Sequence, residues 1–300
     1  MARDSSLTTA RRIRRQLSSQ QRMEVAQLSV GIAAGDSTLM LATTPPAALR
    51  AGTLLCIDLE LLWVTNVNTS TNVISVLRGY LDSDAADHTV GALIEIAPRF
   101  TMLDIVDAMV NELAAWGPGL YRTVDDTFTV DTTAETLELP LAWSGLYGVC
   151  QVRQSSVGTT NTVWPELPAR LIRGTATGFD GAPTSGVMLR FLEPIRSGSV
   201  HVVAALPFDV SALTTDVDLL DTVGMHESQL DVLELGVRRR LLLQGDNDLG
   251  ARQAQDDSRL AEENPVGGML SIHQLQLALY SRRRTEEANR LARLYPLRMQ

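Results

Sequence analysis

Four histidines, two cysteines and a scatter of carboxylates are the residues of this chain able to do acid–base, nucleophilic or metal chemistry. Their spacing asks for none of it. His88, His201, His226 and His273 stand in four unrelated local contexts, and no G-x-S-x-G, P-loop, H-E-x-x-H or C-x-x-C pattern occurs. His88 reads as a turn histidine whose ring bonds a loop carbonyl, because no second ligand lies near it in sequence. Cys56 and Cys150 sit far apart in apolar runs and read as buried free thiols rather than a disulfide or a metal pair. Asp104, Asp107 and Glu112 fall off the apolar face of an expected helix and read as a solvated face, not as paired acid and base. The expectation is a protein without catalytic residues, cofactor or metal.

The remaining charged chemistry is arginine. All 26 basic side chains are arginine and none is lysine, which favours planar, multidentate ion pairs. They cluster at the ends. Residues 1–24 carry a net +4 and residues 282–298 another +4, so a chain of net charge −9 has a body of −17 between them. Basic ends on an acidic body suit either nucleic acid or an acidic protein surface. Nucleic-acid binding calls for a basic face overall, and the acidic total points instead to protein contacts, including contacts with another copy. The residues expected to make them are Arg11, Arg12, Arg14 and Arg15 at one end and Arg282, Arg283, Arg284, Arg290, Arg293 and Arg298 at the other. The run 281–284 can also be read as a solvated helix face.

Three hundred residues suggest two or three units, no window is apolar enough to span a membrane, and the basic N-terminus lacks the apolar stretch of a secretory signal. Residues 1–30 read as an arm with a weakly amphipathic helix, too poor in apolar residues to order without a partner. Residues 31–100 read as a small β module. Alternation marks strands at 62–67 and 73–77, the polar 68–72 suits a hairpin loop, and 92–96 is a last strand. A helix is expected over 101–116, opened by a Thr101–Asp104 capping pair and stopped at Gly117–Pro118.

From 121 to 210 short apolar runs recur between glycines, at 128–130, 137–141, 149–152, 169–172, 187–192 and 200–206. That is the rhythm of an antiparallel sandwich. Trp143, Tyr147, Trp164 and Phe179 could line a sugar platform or fill the sandwich core. Helices are expected again over 229–243 and 269–294, with a polar loop from 244 to 265. Ile272, Leu275, Leu279, Ala288, Leu291 and Leu294 mark the buried side of the last helix. The fold class is α+β: a helical unit (101–122 with 225–300), a small β module, and a sandwich-like insertion at 123–212.

Within the β module the order of residues carries a resemblance. Glu60, the strand Val64-Thr65-Asn66-Val67, Arg78-Gly79-Tyr80, Ala85-Ala86-Asp87-His88 and Gly91-Ala92 resemble a module of structural proteins in tailed bacteriophages. Helical units interrupted by β insertions are further similar to head-to-tail connectors (adaptors) of siphoviruses, in helix 101–116 and the arginine-rich last helix. The resemblance implies a virion protein at the head–tail junction, assembled in the host cytoplasm. It would form a dodecameric ring below the portal, around the DNA channel, with portal protein, other neck and tail proteins and its own copies as partners. DNA would pass without specific binding, since the like charge of an acidic body keeps the phosphate backbone from sticking. Truncating 282–300 would then abolish portal attachment and leave the β modules folded. A tail or baseplate protein with a glycan-binding sandwich is the alternative.

Overall fold

Alternation in the first hundred residues builds a six-stranded antiparallel sheet that curls on itself. The strands are β1 (Glu24–Gln27), β2 (Thr38–Met40), β3 (Leu54–Ile57), β4 (Glu60–Asn68), β5 (Val73–Leu77) and β6 (Leu93–Ile96), in the order β1-β6-β3-β4-β5-β2. A bridge between Leu28 and Leu41 joins the two edge strands and closes the sheet. Closure removes the unpaired edges that an open sheet would expose. Inward residues alternate along each strand: Leu39 and Leu41, Leu55 and Ile57, Leu62 and Val64, Ile74 and Val76, Ile94 and Ile96 form one core. In the 68–72 loop, Asn68 Oδ1 accepts hydrogen bonds from the N–H of Ser70 and of Thr71 and from the Ser70 hydroxyl.

The computed structural model describes residues 5–17, 24–130, 134–155, 164–174, 186–195, 197–214, 216–256 and 266–298. The chain divides into two units. The first takes in Met1–Val110, Leu213–Asp216 and Gly236–Val266, the second Asn111–Ala212, Val217–Leu235 and Gly267–Gln300.

The first unit begins earlier than the sequence suggests. The segment expected to be a free arm contains α1 (Ser6–Leu17) and then β1, a strand of the sheet. A small face of α1, Ser6, Thr9, Ala10 and Ile13, is buried, and Arg14 pairs with Glu95 of β6. Few apolar residues suffice because small side chains let the helix approach closely and one ion pair anchors it.

Helix α2 (Met102–Trp116) opens on the expected capping pair. The Thr101 N–H donates to Asp104 Oδ2 (2.8 Å), and the Asp104 N–H donates back to Thr101 Oγ1 (3.0 Å). Aspartate does here what glutamate or glutamine usually does.

The second unit contains the sandwich. Its sheets are β10-β11-β8 and β7-β12-β9, from β7 (Arg122–Val130), β8 (Ala134–Glu138), β9 (Gly148–Gln154), β10 (Ala169–Arg173), β11 (Val187–Ile195) and β12 (Gly198–Leu206). Each of the six strands overlaps an apolar run read from the sequence. Inward residues of both sheets, among them Val149, Val152, Leu171, Leu189, Val200 and Val202, share one core. Mixed α+β architecture is thus observed, with helices and antiparallel sheets in one chain.

Two helices depart from expectation. The last but one, α3 (Leu230–Asp256), continues through Gly245 and Gly250 into the stretch expected as loop. A helical glycine costs about 1 kcal/mol relative to alanine but does not break the ladder, and no proline occurs between Leu230 and Pro265. The last helix, α4 (Val266–Leu294), buries Tyr280, Glu287 and Leu291, while Leu275, Leu279 and Leu294, expected inside, are exposed. The side chain of Ile272 lies outside the described residues. Periodicity gave the helix and misjudged its inner face, because the buried side includes a tyrosine and a glutamate that an apolar count ignores.

Candidate functional site: a buried arginine hub and an arginine-bearing helix

The quoted module residues converge on one carboxylate. Glu60 opens β4 with its side chain 1% exposed, and Arg78, at the end of β5, is 8% exposed. Arg78 Nε donates to Glu60 Oε1 (2.5 Å) and Nη2 to Oε2 (2.7 Å), a bidentate fork. The remaining guanidinium hydrogens go to backbone: Nη1 to Ala33 O (2.8 Å) and Asp36 O (3.2 Å), Nη2 to Ala86 O (2.6 Å). His88 Nε2 lies 2.8 Å from Glu60 Oε2, and the Ala86 N–H donates to the same oxygen at 3.2 Å.

His88 therefore bonds a carboxylate, not the loop carbonyl expected of it. Its backbone pairs with Ile32 on the other side. Burial raises the Glu60 pKa, but the hydrogen bonds from Arg78, His88 and Ala86 outweigh it and hold the carboxyl below its usual range. Gly79 follows at φ 61°, and a Cβ there would stand 2.9 Å from Ser83 O. The arrangement fastens three loops (33–36, 79–86 and 86–88) to one buried ion pair. It has no open coordination position and no exposed nucleophile: it is a lock.

The arginines expected at interfaces divide into three groups. Arg11 pairs with Asp58 and Arg14 with Glu95 in the first unit, while Arg12 is half-buried and Arg15 exposed. In the second unit most are engaged within the chain. Arg283 reaches Asp231 at the start of α3 and Glu286, and Arg284 Nη2 donates to Trp116 O (2.9 Å) and caps the carbonyl end of α2. Arg290 grips Glu287 at 2.7 Å and also bonds Ser228. Burial raises the Glu287 pKa, but Arg290 and Ser228 more than compensate and bring it below the usual range. Arg298 pairs with Glu166 and donates its N–H to Val149 O of β9 (3.2 Å). Arg282 and Arg293 are exposed, and Arg282 bonds Glu286 one turn on.

Deleting 282–300 would therefore also remove contacts to the sandwich strand β9, to Asp231 and to the end of α2. Tyr295 adds to this: its carbonyl accepts from the Tyr121 hydroxyl (2.7 Å), and its ring stacks on His226.

One site escaped sequence reasoning altogether. Glu112, expected in solvent, is fully buried, accepting from Trp116 Nε1 (3.2 Å) and from the Tyr280 hydroxyl. The i, i+4 spacing of Glu112 and Trp116 was a visible signal, but Tyr280 is 168 residues away. Of the candidate aromatic platform, Trp143 lies in the sandwich core against Phe128, and Trp164 sits edge-on to His201. Phe179 and the side chain of His273 lie outside the described residues. Both cysteines are free and buried, and burial pushes the Cys56 thiol up to about 12 and the Cys150 thiol to about 11. Among the described residues no group of three or more His, Cys, Asp or Glu side chains is placed to hold a metal, and no helix is long and apolar enough to cross a membrane.

No protein-family profile matches this chain, and no curated protein matches it either.

Proposed function

We propose that the chain is an assembly protein of a phage particle, a head-to-tail connector that forms a ring on the portal around the DNA channel. The observation that carries this reading is the outer surface of α4. Leu275 is 61% exposed and Leu279 45% exposed on one face, and one turn beyond them Arg282 is 77% exposed. A helix that leaves leucines in water, beside an exposed guanidinium held only by Glu286 of its own turn, is built to be covered by another protein. The module around Glu60, Arg78 and His88 adds the resemblance to virion proteins, and its lock geometry suits a particle part that must keep its shape under load. The acidic body suits a conduit to which phosphate does not adhere.

The test is light scattering of the chain alone and mixed with its cognate portal protein, with Leu275→Ser/Leu279→Ser as the control. A ring-sized complex with portal that the double variant fails to form supports the reading. A chain that remains at its free mass beside the portal ends it.

A further inference from the structure

The outer face of the closed sheet is not polar where β3, β4 and β5 run side by side. Leu54 pairs with Trp63 and Trp63 with Leu77 directly across the three strands, so all three side chains stand in one outward row. Tyr80 stacks on Trp63 at 5.0 Å, and Leu77 is 55% exposed. Beyond it Leu81 is 63% exposed and held at φ 54°, ψ 45°, a left-handed conformation that a leucine rarely adopts. The chain is kept there from behind: Gly79 and Ala86, on either side of Leu81, both donate to Glu60, and Ser83 bonds Leu61. A strained, exposed leucine braced by a buried ion-pair lock is a presented anchor. Next to it in the chain stand two exposed carboxylates, Asp82 and Asp84.

We infer that this row seats the outer face of α4 from a second copy of the chain. The inference rests on the self-assembly in the proposed function and names its contact. The complement is specific in both chemistry and order. On α4, Leu275 and Leu279 stand one turn apart and Arg282, paired with Glu286 in the single chain, follows three residues on, so two apolar knobs meet the Leu54–Trp63–Leu77–Leu81 surface while the guanidinium exchanges Glu286 for the carboxylates beside Leu81. Pairing α4 with α4 is poorer. The exposed row 275, 279, 282, 286, 289, 293 opposes arginine to arginine at 282 in a parallel pair, and an antiparallel pair centred between Arg282 and Glu286 sets Leu275 against Arg293. Because the two faces differ, the contact is head-to-tail and propagates into a closed ring or an open filament.

Two variants test it, each with substitutions at exposed positions only: Leu77→Ser/Leu81→Ser on the sheet face and Leu275→Ser/Leu279→Ser on α4. Circular dichroism first checks that both keep the parent's melting curve. Each alone is expected to run as a single chain in analytical ultracentrifugation where the parent assembles, and the equimolar mixture is expected to stop at a one-to-one dimer, since it holds one competent pair of faces. Arg282→Glu should weaken parent assembly at least tenfold, and Asp82→Arg in the same chain should recover it. A parent that does not self-associate, a sheet-face variant that assembles like the parent, or a mixture that stays monomeric overturns the contact. Portal capture by a parent that assembles through other residues would leave the connector reading intact while this contact falls; a variant dimer from a parent that ignores portal would do the reverse.

Discussion

Two buried glutamates in the first unit, both paired to arginine, behave in opposite ways. Glu60 has five donors: two nitrogens of Arg78, the His88 ring and the N–H groups of Gly79 and Ala86. Its carboxyl lies below the usual range despite burial. Glu95 is nearly as enclosed and has Arg14 from α1 as its ion-pair partner, and burial, only partly offset by that arginine, pushes its carboxyl up. A buried ion pair is therefore not one kind of thing. What decides its sign is whether enough donors replace the lost water.

The largest break in this comparison is Arg78→Met. It strands Glu60 and several backbone carbonyls and is expected to cost about 3–5 kcal/mol in urea unfolding, the range for uncoupling a buried pair. Arg78→Lys should recover less than half of that, because an ammonium cannot reproduce the fork. A loss under about 1 kcal/mol for Arg78→Met would show that the lock is not structural. Next comes Gly79→Ala. It forces a Cβ into the left-handed region against Ser83 O, at about 1–3 kcal/mol, and should lower the melting temperature without altering the barrel's circular dichroism.

Arg14→Ala is smaller, about 1–2 kcal/mol near neutral pH, since Glu95 is already inclined to take a proton once its partner leaves. Its cost should shrink on acidification, which unfolding curves at two pH values can read.

The pH profiles sharpen the contrast directly. Glu60 is depressed in the folded state, so its stabilisation is complete above the ordinary carboxylate value and is lost as pH falls through its lower folded value. Wild type should lose its advantage over Glu60→Gln on that acid limb. Glu95 is raised, so the folded protein binds its proton first, and wild type should gain on Glu95→Gln as pH falls from that raised value toward the ordinary one. Parallel profiles for the two variants would show that the carboxylates do not differ. The smallest effect belongs to the exposed pair: Arg11→Ala, across from Asp58 with both side chains about half exposed, should change stability by about 0.5 kcal/mol or less.

These differences were only partly visible in the chain itself. Glu60, Arg78 and His88 stand out as a pattern, but nothing in their spacing says that they touch one another. Arg283, Arg284, Arg290 and Arg298 look like a free basic tail and are instead tied to Asp231, to the end of α2, to Glu287 and to Glu166. Charge counted along a sequence cannot see partners that folding brings from 52 or 132 residues away.

The sequence by itself determined the α+β class, helix α2 with its cap, the positions of the sandwich strands and the alternation of strands 62–67 and 73–77. All of these follow from local period and from side chains bonding their own neighbours, which need no distant partner. Only the tertiary structure decided that α1 is tied to the closed sheet and β1 is one of its strands, that Glu112 is buried beneath Tyr280 and that Leu275 and Leu279 face outward. In each case burial, or its absence, was set by surfaces remote in the chain. The period of a helix fixes which residues share a face but not which face is covered.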